Sequence, residues 1–432
     1  MGDLTRRPRL LFLCHTLPYP PDGGPWIRTY HIIRLLARAF DITALCFERS
    51  GTRSHWGARD TAASREALSR FANVEVFEIP QKHSRVRFAW DHLRSIASGR
   101  VYTRYLYDSR SFRRRLDQLL QSTPFDCVHV DSLDLAGYLA ACRPLPVVCV
   151  HHDVESALLR RRGHVDPSRW RRVYLRHQAR LMNRVERRWC GRIALNVAVS
   201  EHDRGLLKRI APDSRVTIVP NGVDVEEFCP DGTVGDGVTY VGGTSPFPNL
   251  DALNFFCEQI LPHLRASGAQ VPARWIGRAS TDEQRHYRER YGVDVTGYAD
   301  DVRPFMREAA CHIVPLRVGG GTRLKILNAW AMGKAVVSTS IGCEGLAAVD
   351  GENILIRDEP RSFAAAVAGV LNNDALRRHL GERGRATAER LYSWDVIGRD
   401  MIDTYLTVAN AESQRILSTV SPIGAEAHCR HA

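Results

Sequence analysis

Residues 311–338 hold the part of this chain best equipped for chemistry: Gly319, Gly320 and Gly321 end an apolar run, and Thr322, Arg323 and Lys325 open a helical pattern. Glycines let backbone N–H groups approach a ligand closely, and Thr322 can cap a helix whose first turn carries the two cations. Unpaired amides, the helix dipole and two cations together favour a diphosphate. A plain glycine turn explains the glycines but not the cations. Two familiar phosphate loops are excluded, because neither Gly-x-x-x-x-Gly-Lys-Ser/Thr nor Gly-x-Gly-x-x-Gly between strand and helix occurs.

Other candidates stand where apolar runs end. His151, His152, Asp153 and Glu155 follow the run 147–150, and titratable groups at a strand's carboxyl end can contact a sugar or move a proton. The competing role is structural, with Asp153 or Glu155 capping the next helix. Gly23 and Gly24, after Asp22, and Gly242 and Gly243, before Thr244, can bring backbone against a bound group, and Pro25 suits the first position of a helix. Gly277 and Gly297 with Tyr298 end later runs. Each such loop alone is a weak sign; together, at equivalent strand ends, they form a pattern.

These loops need a scaffold of parallel strands. Short β-branched runs at 10–14, 42–47, 74–79, 127–130, 147–150 and 195–199 alternate with helical periods, as in a doubly wound sheet. A turn at Pro220-Asn-Gly-Val-Asp224 and a polar stretch at 230–237 follow. The alternation then restarts at 238–241, 273–276, 293–296, 311–315, 335–338 and 354–356. Helical patterns at 361–371, 375–391 and 394–408 complete the chain, so the expected class is α/β with two sheets in tandem.

Hydrophobic residues make up 44% of the 432 and charged residues 25%, the balance of a soluble globular protein with about two to three domains. Eleven cysteines include no Cys-x-x-Cys pair, and Cys14, Cys127, Cys149 and Cys311 lie inside apolar runs, as reduced core residues do. No run reaches the ~18 apolar residues of a membrane span and no signal-peptide core precedes the first strand, so a cytoplasmic location is expected.

The net charge of +12 is uneven. Residues 157–192 contain twelve arginines against Asp166 and Glu186, and residues 82–117 contain ten Lys or Arg against three Asp. The first half is therefore expected to meet an anionic surface or ligand. Within 169–192, Trp170, Tyr174, Leu181, Val185 and Trp189 recur at helical spacing with His177, while Arg171, Arg172, Arg176 and Arg180 take other faces. A helix lying on anionic lipid has this pattern, and so does a core-packed helix with a solvated basic face.

With these residues laid out, the chain resembles the GT-B glycosyltransferases of group 1, also called family 4, from residue 9 to about residue 406. The resemblance rests on 319–325 with Met332-Gly-Lys-Ala-Val-Val-Ser338, the 220–224 turn, the 22–24 loop and Asp350-Gly-Glu-Asn353. Tyr392-Ser393-Trp394 resembles the place where the last helix of such enzymes returns to the first domain. It implies two doubly wound Rossmann-like domains facing across a cleft. Their bounds would be 1–212 on the acceptor side, a linker 213–236, a nucleotide-sugar-binding domain 237–391, a returning helix 392–410 and a flexible tail 411–432.

The resemblance also implies transfer, with retention, from a nucleoside-diphosphate sugar to an acceptor hydroxyl in polysaccharide or glycolipid assembly. His152 would be the catalytic residue beside the sugar. Gly23, Gly24, Gly242, Gly243, Gly320, Gly321, Thr322, Arg323 and Lys325 would hold the donor phosphates, with Gly297 and Tyr298 near the base. Two departures stand out: the family's paired glutamates are replaced by Gly320 and Asn328, leaving Asn328 for the ribose, and residues 244–249 lack the usual cations. No Asp-x-Asp pair is present, so no obligatory metal or other cofactor is expected. Two rivals remain: a nucleotide-sugar epimerase of this fold, which would turn over donor alone, and a basic nucleic-acid-binding protein, which leaves the cradle unexplained. No nucleic-acid partner is expected, and an anionic membrane surface is a possible one.

Overall fold

The computed structural model describes residues 6–21, 23–48, 61–81, 84–166, 168–245, 247–266, 271–319 and 323–419. The chain forms two compact units, one of Met1–Ala198, Gly205–Thr217 and Gly398–Ala432, the other of Val199–Arg204 and Ile218–Ile397.

The first sheet contains β1 (Arg9–Cys14), β2 (Asp41–Glu48), β3 (Asn73–Glu78), β4 (Cys127–Val130), β5 (Val147–Val150), β6 (Leu195–Ala198) and β7 (Val216–Ile218), in the order β3-β2-β1-β4-β5-β6-β7. Strands β1 to β6 pair in parallel, with Leu10 opposite Cys127 and Leu13 opposite Val130. Parallel sheets carry helices on both faces, so their strands must be apolar on both sides; Leu11, Phe12, Leu13 and Cys14 are accordingly all fully buried. Phe47 stacks on Phe112 with centroids 4.4 Å apart, and Tyr107 and Tyr138 close around them. Burial of each phenylalanine contributes about 1.5–3 kcal/mol.

The second sheet contains β8 (Val238–Val241), β9 (Ala273–Ile276), β10 (Val293–Val295), β11 (Cys311–Val314), β12 (Ala335–Ser338) and β13 (Leu355–Ile356), all paired in parallel in the order β10-β9-β8-β11-β12-β13. Its core includes Tyr240 stacked on Trp275 at 3.7 Å and the fully buried Trp330. Both sheets reverse strand order once, between β1 and β4 and between β8 and β11. A doubly wound sheet opens a ligand crevice beyond its carboxyl ends at such a reversal.

Four local features differ from the sequence reading. Residues 216–218, placed in a linker, form the edge strand β7. The stretch 411–419, read as tail, continues the Trp394–Thr419 helix, since no Gly or Pro falls between residue 411 and Pro422. The helix after the glycine loop is Leu324–Ala331, with Arg323 rather than Thr322 at its cap position and no side-chain cap. At the chain's start, Gly23 caps the Gly24–Leu36 helix, so Pro25 takes the second position. The described cysteines are all free, and all but Cys229 are buried.

Candidate functional site

In the first unit the reversal point gathers polar side chains from three loops. His15 follows β1, Asp131 follows β4, and His151 and His152 follow β5. Asp131 is completely buried, yet both its oxygens accept from the Thr29 hydroxyl at 2.9 Å. His15 Nδ1 lies 3.0 Å from Asp131 Oδ2, His152 Nε2 lies 3.4 Å from Oδ1 and His129 Nε2 3.6 Å from the same oxygen. His129 is fixed from behind, its Nδ1 2.7 Å from the Tyr405 hydroxyl and its ring stacked on Phe12.

Burial alone would raise the Asp131 carboxyl, but the charge of His152 and the ring nitrogens of His129, His15 and His152 held close to it outweigh burial and keep the group well below the usual carboxylate range. Burial pushes His129 down, and pushes His151 down to about 4 even though its Nε2 meets Asn196 Oδ1 at 3.0 Å. The cluster thus keeps an ionised carboxylate against imidazole rings, the arrangement that orients a histidine and supports its charge. His15, Asp131 and His152 also lie close enough together to ligate a metal ion. Asp131 already accepts from Thr29 and His15, while His129 Nε2 and His152 Nε2 are buried beside it without a hydrogen-bond partner.

His152, singled out from the resemblance, is therefore at the centre of this group. Neither Asp153 nor Glu155 caps the next helix: Val154 holds the cap of Glu155–Val165 with no side-chain bond, and burial raises the Glu155 carboxyl. Gly23 and Gly24 start the helix that carries Thr29, so their loop is tied to Asp131 through that side chain. Asp22 lies outside the described residues. Asp131, His15 and Thr29 were missed by sequence reading, although Asp131 stands immediately beyond an apolar run, the position searched elsewhere.

In the second unit the loops after β8, β9, β10 and β11 converge. Gly242 N–H donates to the Ile276 carbonyl at 2.7 Å, Thr244 N–H to Arg278 at 2.9 Å, and Gly277 N–H to Gly297 at 3.1 Å. Gly277 has φ 147°, and a Cβ there would run into the backbone of Gly243, so the crossing requires glycine. Beyond it, the Arg278 guanidinium lies 4.3 Å from the centroid of the Tyr298 ring, which is 54% exposed. An open aromatic face backed by a cation suits a planar base.

The cradle's cations are anchored. A Cβ on Gly319 would sit 2.9 Å from an Arg323 guanidinium nitrogen, and Arg323 donates to the Ile341 carbonyl at 3.1 Å. Lys325 donates to the Tyr240 hydroxyl and, at 3.2 Å, to Asn249 Oδ1, with its ammonium 3.9 Å from the centre of the Tyr240 ring. Those partners place it beside Gly242, whose Cβ would meet the same Tyr240 and Asn249 side chains. A cation thus reaches the Gly242 loop from the helix, where residues 244–249 supply none. Burial, then the neighbouring Arg323, push the Lys325 ammonium well below the ordinary lysine range. Asn328 is half-buried one turn further along, with no side-chain hydrogen bond among the described residues. Gly320, Gly321 and Thr322 lie outside the described residues. Arg171, Arg172, Arg176 and Arg180 are exposed on the Arg169–Trp189 helix, and none contacts His15, Asp131 or His152 among the described residues.

Two tandem parallel sheets with ligand loops at both reversal points define a GT-B fold. A profile described as Glycosyltransferase Family 4 matches residues 22–227, and one described as Glycosyl transferases group 1 matches residues 235–373. The chain belongs to this family of glycosyltransferases. It is 29% identical over 153 residues to the lipopolysaccharide core biosynthesis glycosyltransferase LpsE of Rhizobium meliloti, covering 32% of this chain and 42% of that protein. It is 26% identical over 247 residues to the phosphatidyl-myo-inositol mannosyltransferase of Mycobacterium leprae, covering 53% and 63%. These matches span about half the length of the curated relatives. Among solved structures, Anabaena HepE in complex with UDP shares the fold with a TM-score of 0.65 at 16% identity, covering 92% of this chain and all of that one.

Proposed function

We propose that the protein transfers a sugar, with retention, from a nucleoside-diphosphate sugar to an acceptor hydroxyl in polysaccharide or glycolipid assembly. The observation that carries this reading is the half-buried Lys325, whose ammonium faces a phenol, an amide oxygen and an aromatic ring but, among the described residues, no carboxylate. A buried cation without a negative partner is costly, and a diphosphate would supply the missing charge. Lys325 and Arg323 would then stabilise the leaving diphosphate, with the Gly242 and Gly319 loops letting it come close and no step requiring a metal. Asn328 would take the ribose, and Gly297, Tyr298 and Arg278 the base.

In the first unit, His152 would contact the transferred sugar, with its ring oriented and its charge supported by Asp131. A uridine diphosphate is the first nucleotide to try, since HepE is described with UDP. The acceptor reading draws on the lipopolysaccharide-core and phosphatidylinositol relatives. No helix among the described residues is long and apolar enough to cross a membrane. We place the protein at the cytoplasmic face of an anionic membrane, with Arg171, Arg172, Arg176 and Arg180 toward it.

A thermal-shift panel of nucleoside diphosphates tests the donor reading, because a ligand that binds only the folded state raises its melting temperature by mass action. At least one should do so, and less in Arg323→Ala. No shift with any of them would remove the donor assignment.

A further inference from the structure

The Arg85–Ser98 helix is packed inside out. Its buried residues are Asp91 and Ser95, while Val86, Phe88, Trp90, Leu93 and Ile96 are exposed. Polar bonds hold it down: Gln81 donates to Asp91 at 2.6 Å, Arg87 pairs with the same carboxylate at 3.5 Å, and Gln178 donates to Ser95 at 2.8 Å. Val86, Trp90 and Leu93 recur at i, i+4 and i+7, the stripe an amphipathic helix ordinarily turns to the core. Here that stripe faces solvent.

The apolar surface continues onto a second helix. His92 Nδ1 lies 2.5 Å from the Tyr174 hydroxyl, and Trp170 and Val173, on the same face as Tyr174, are 78% and 62% exposed. Of the twelve most exposed large apolar side chains among the described residues, seven are on these two helices. Exposed apolar residues scattered singly need no explanation, but a cluster marks an interaction surface. Its fringe is of one sign. Arg85, Arg100, Arg169, Arg171, Arg172 and Arg176 are exposed around it, and a groove along Val86 and Trp90 is walled by Arg87, Arg94 and Arg110. Asp108, the exposed acid in that groove, is already paired with Arg104 and Arg113.

Apolar side chains with a cationic rim complement a bilayer of anionic lipid, whereas a second copy of the chain would set like charge against like. We infer that this surface seats the protein on such a bilayer, with Val86, Trp90, Leu93 and Trp170 entering the acyl boundary and the flanking arginines on headgroup phosphates. The inference rests on the peripheral membrane reading above and adds to it. Attachment is by insertion as well as by charge, and its centre is the Arg85–Ser98 helix.

Flotation with vesicles of phosphatidylcholine, with and without phosphatidylglycerol, separates the two. Wild-type protein should float with the anionic vesicles and keep a bound fraction in about 1 M salt, where screening falls to ~3 Å. The triple variant Val86→Ser, Trp90→Ser, Leu93→Ser should lose about tenfold in vesicle affinity and all of the salt-resistant fraction, at an unchanged melting temperature because these side chains are exposed. Converting Arg171, Arg172, Arg176 and Arg180 to Gln should weaken binding in low salt only. Should the triple variant misfold, Trp90→Phe serves instead: it should still float, but quenching of tryptophan fluorescence by brominated lipid should drop.

Equal salt-resistant flotation of wild type and triple variant, or unchanged quenching in Trp90→Phe, overturns the insertion and leaves charge attachment standing. Wild type that floats with neither vesicle overturns both readings. A wild-type dimer in sedimentation velocity that the triple variant dissolves also overturns insertion, making the stripe a contact between copies.

Discussion

At the reversal point of the first sheet a carboxylate is buried among three histidines and a threonine; at that of the second an ammonium is half-buried beside a guanidinium, a phenol and an amide. The first group surrounds its charge with its own partners. Asp131 is held ionised because imidazoles surround it, and nothing further is needed to keep it so. The second is left electropositive, and burial presses Lys325 toward neutrality. On the function proposed above the contrast divides the work: the first network would position a ring and steady a proton, and the second would receive an anion.

Breaking the first cluster should have the largest effect. Asp131→Ala removes the acceptor of a buried charged network and should lower unfolding free energy by about 3–5 kcal/mol, measured by urea denaturation. An unchanged midpoint would mean the histidines hold themselves. The second cluster should respond with opposite signs. Lys325→Met should weaken nucleoside-diphosphate binding by ~1.5–3 kcal/mol in calorimetry while the melting temperature of the free protein holds or rises, because a costly buried cation is gone. Loss of stability alongside loss of binding would show that the lysine serves the fold. For the same reason, diphosphate binding should weaken as pH rises below the range where an ordinary lysine titrates.

His152→Ala should cut turnover by at least about tenfold and leave nucleoside-diphosphate affinity within a small factor, as read from kcat against binding. A fall in affinity of equal size would move the ring from the sugar to the phosphates.

The smallest expected effect is on the acid side of stability. His151 titrates at about 4 and His312 at about 3, both depressed by burial from the ordinary 6.5. Between those values the unfolded chain binds the extra protons, so unfolding free energy must fall as pH falls through this window. Asp131, also depressed, adds stability above the usual carboxylate range and loses it at still lower pH. Melting temperature should therefore decline steadily below pH ~6.5, and His312→Val should flatten the decline. A profile that is level down to pH ~4 would contradict both histidine shifts.

The strands were legible because a parallel strand buried on both faces is an unbroken apolar run, as in 10–14 and 335–338. The cradle was legible because glycines and cations adjoin in sequence. Asp131 was not, since its meaning depends on His15 and His152 arriving from two other strands, at a separation of 116 residues for the first. Nor was the role of Arg278, which becomes clear only against the Tyr298 ring. The Arg85–Ser98 helix shows another limit: periodicity reveals that a helix has an apolar side, but not which way that side will face.

Tyr405 carries a consequence for how the molecule is made. It is fully buried in the first unit, its hydroxyl on His129 and its ring edge-on to Phe40, yet it belongs to the last helix. A ribosome finishes both sheets before it reaches this residue. The second unit therefore has all its strands and core in hand while the first, although begun earlier, still exposes the floor beneath its histidines. Maturation runs against the order of synthesis, and the groups assigned here to sugar transfer are braced last.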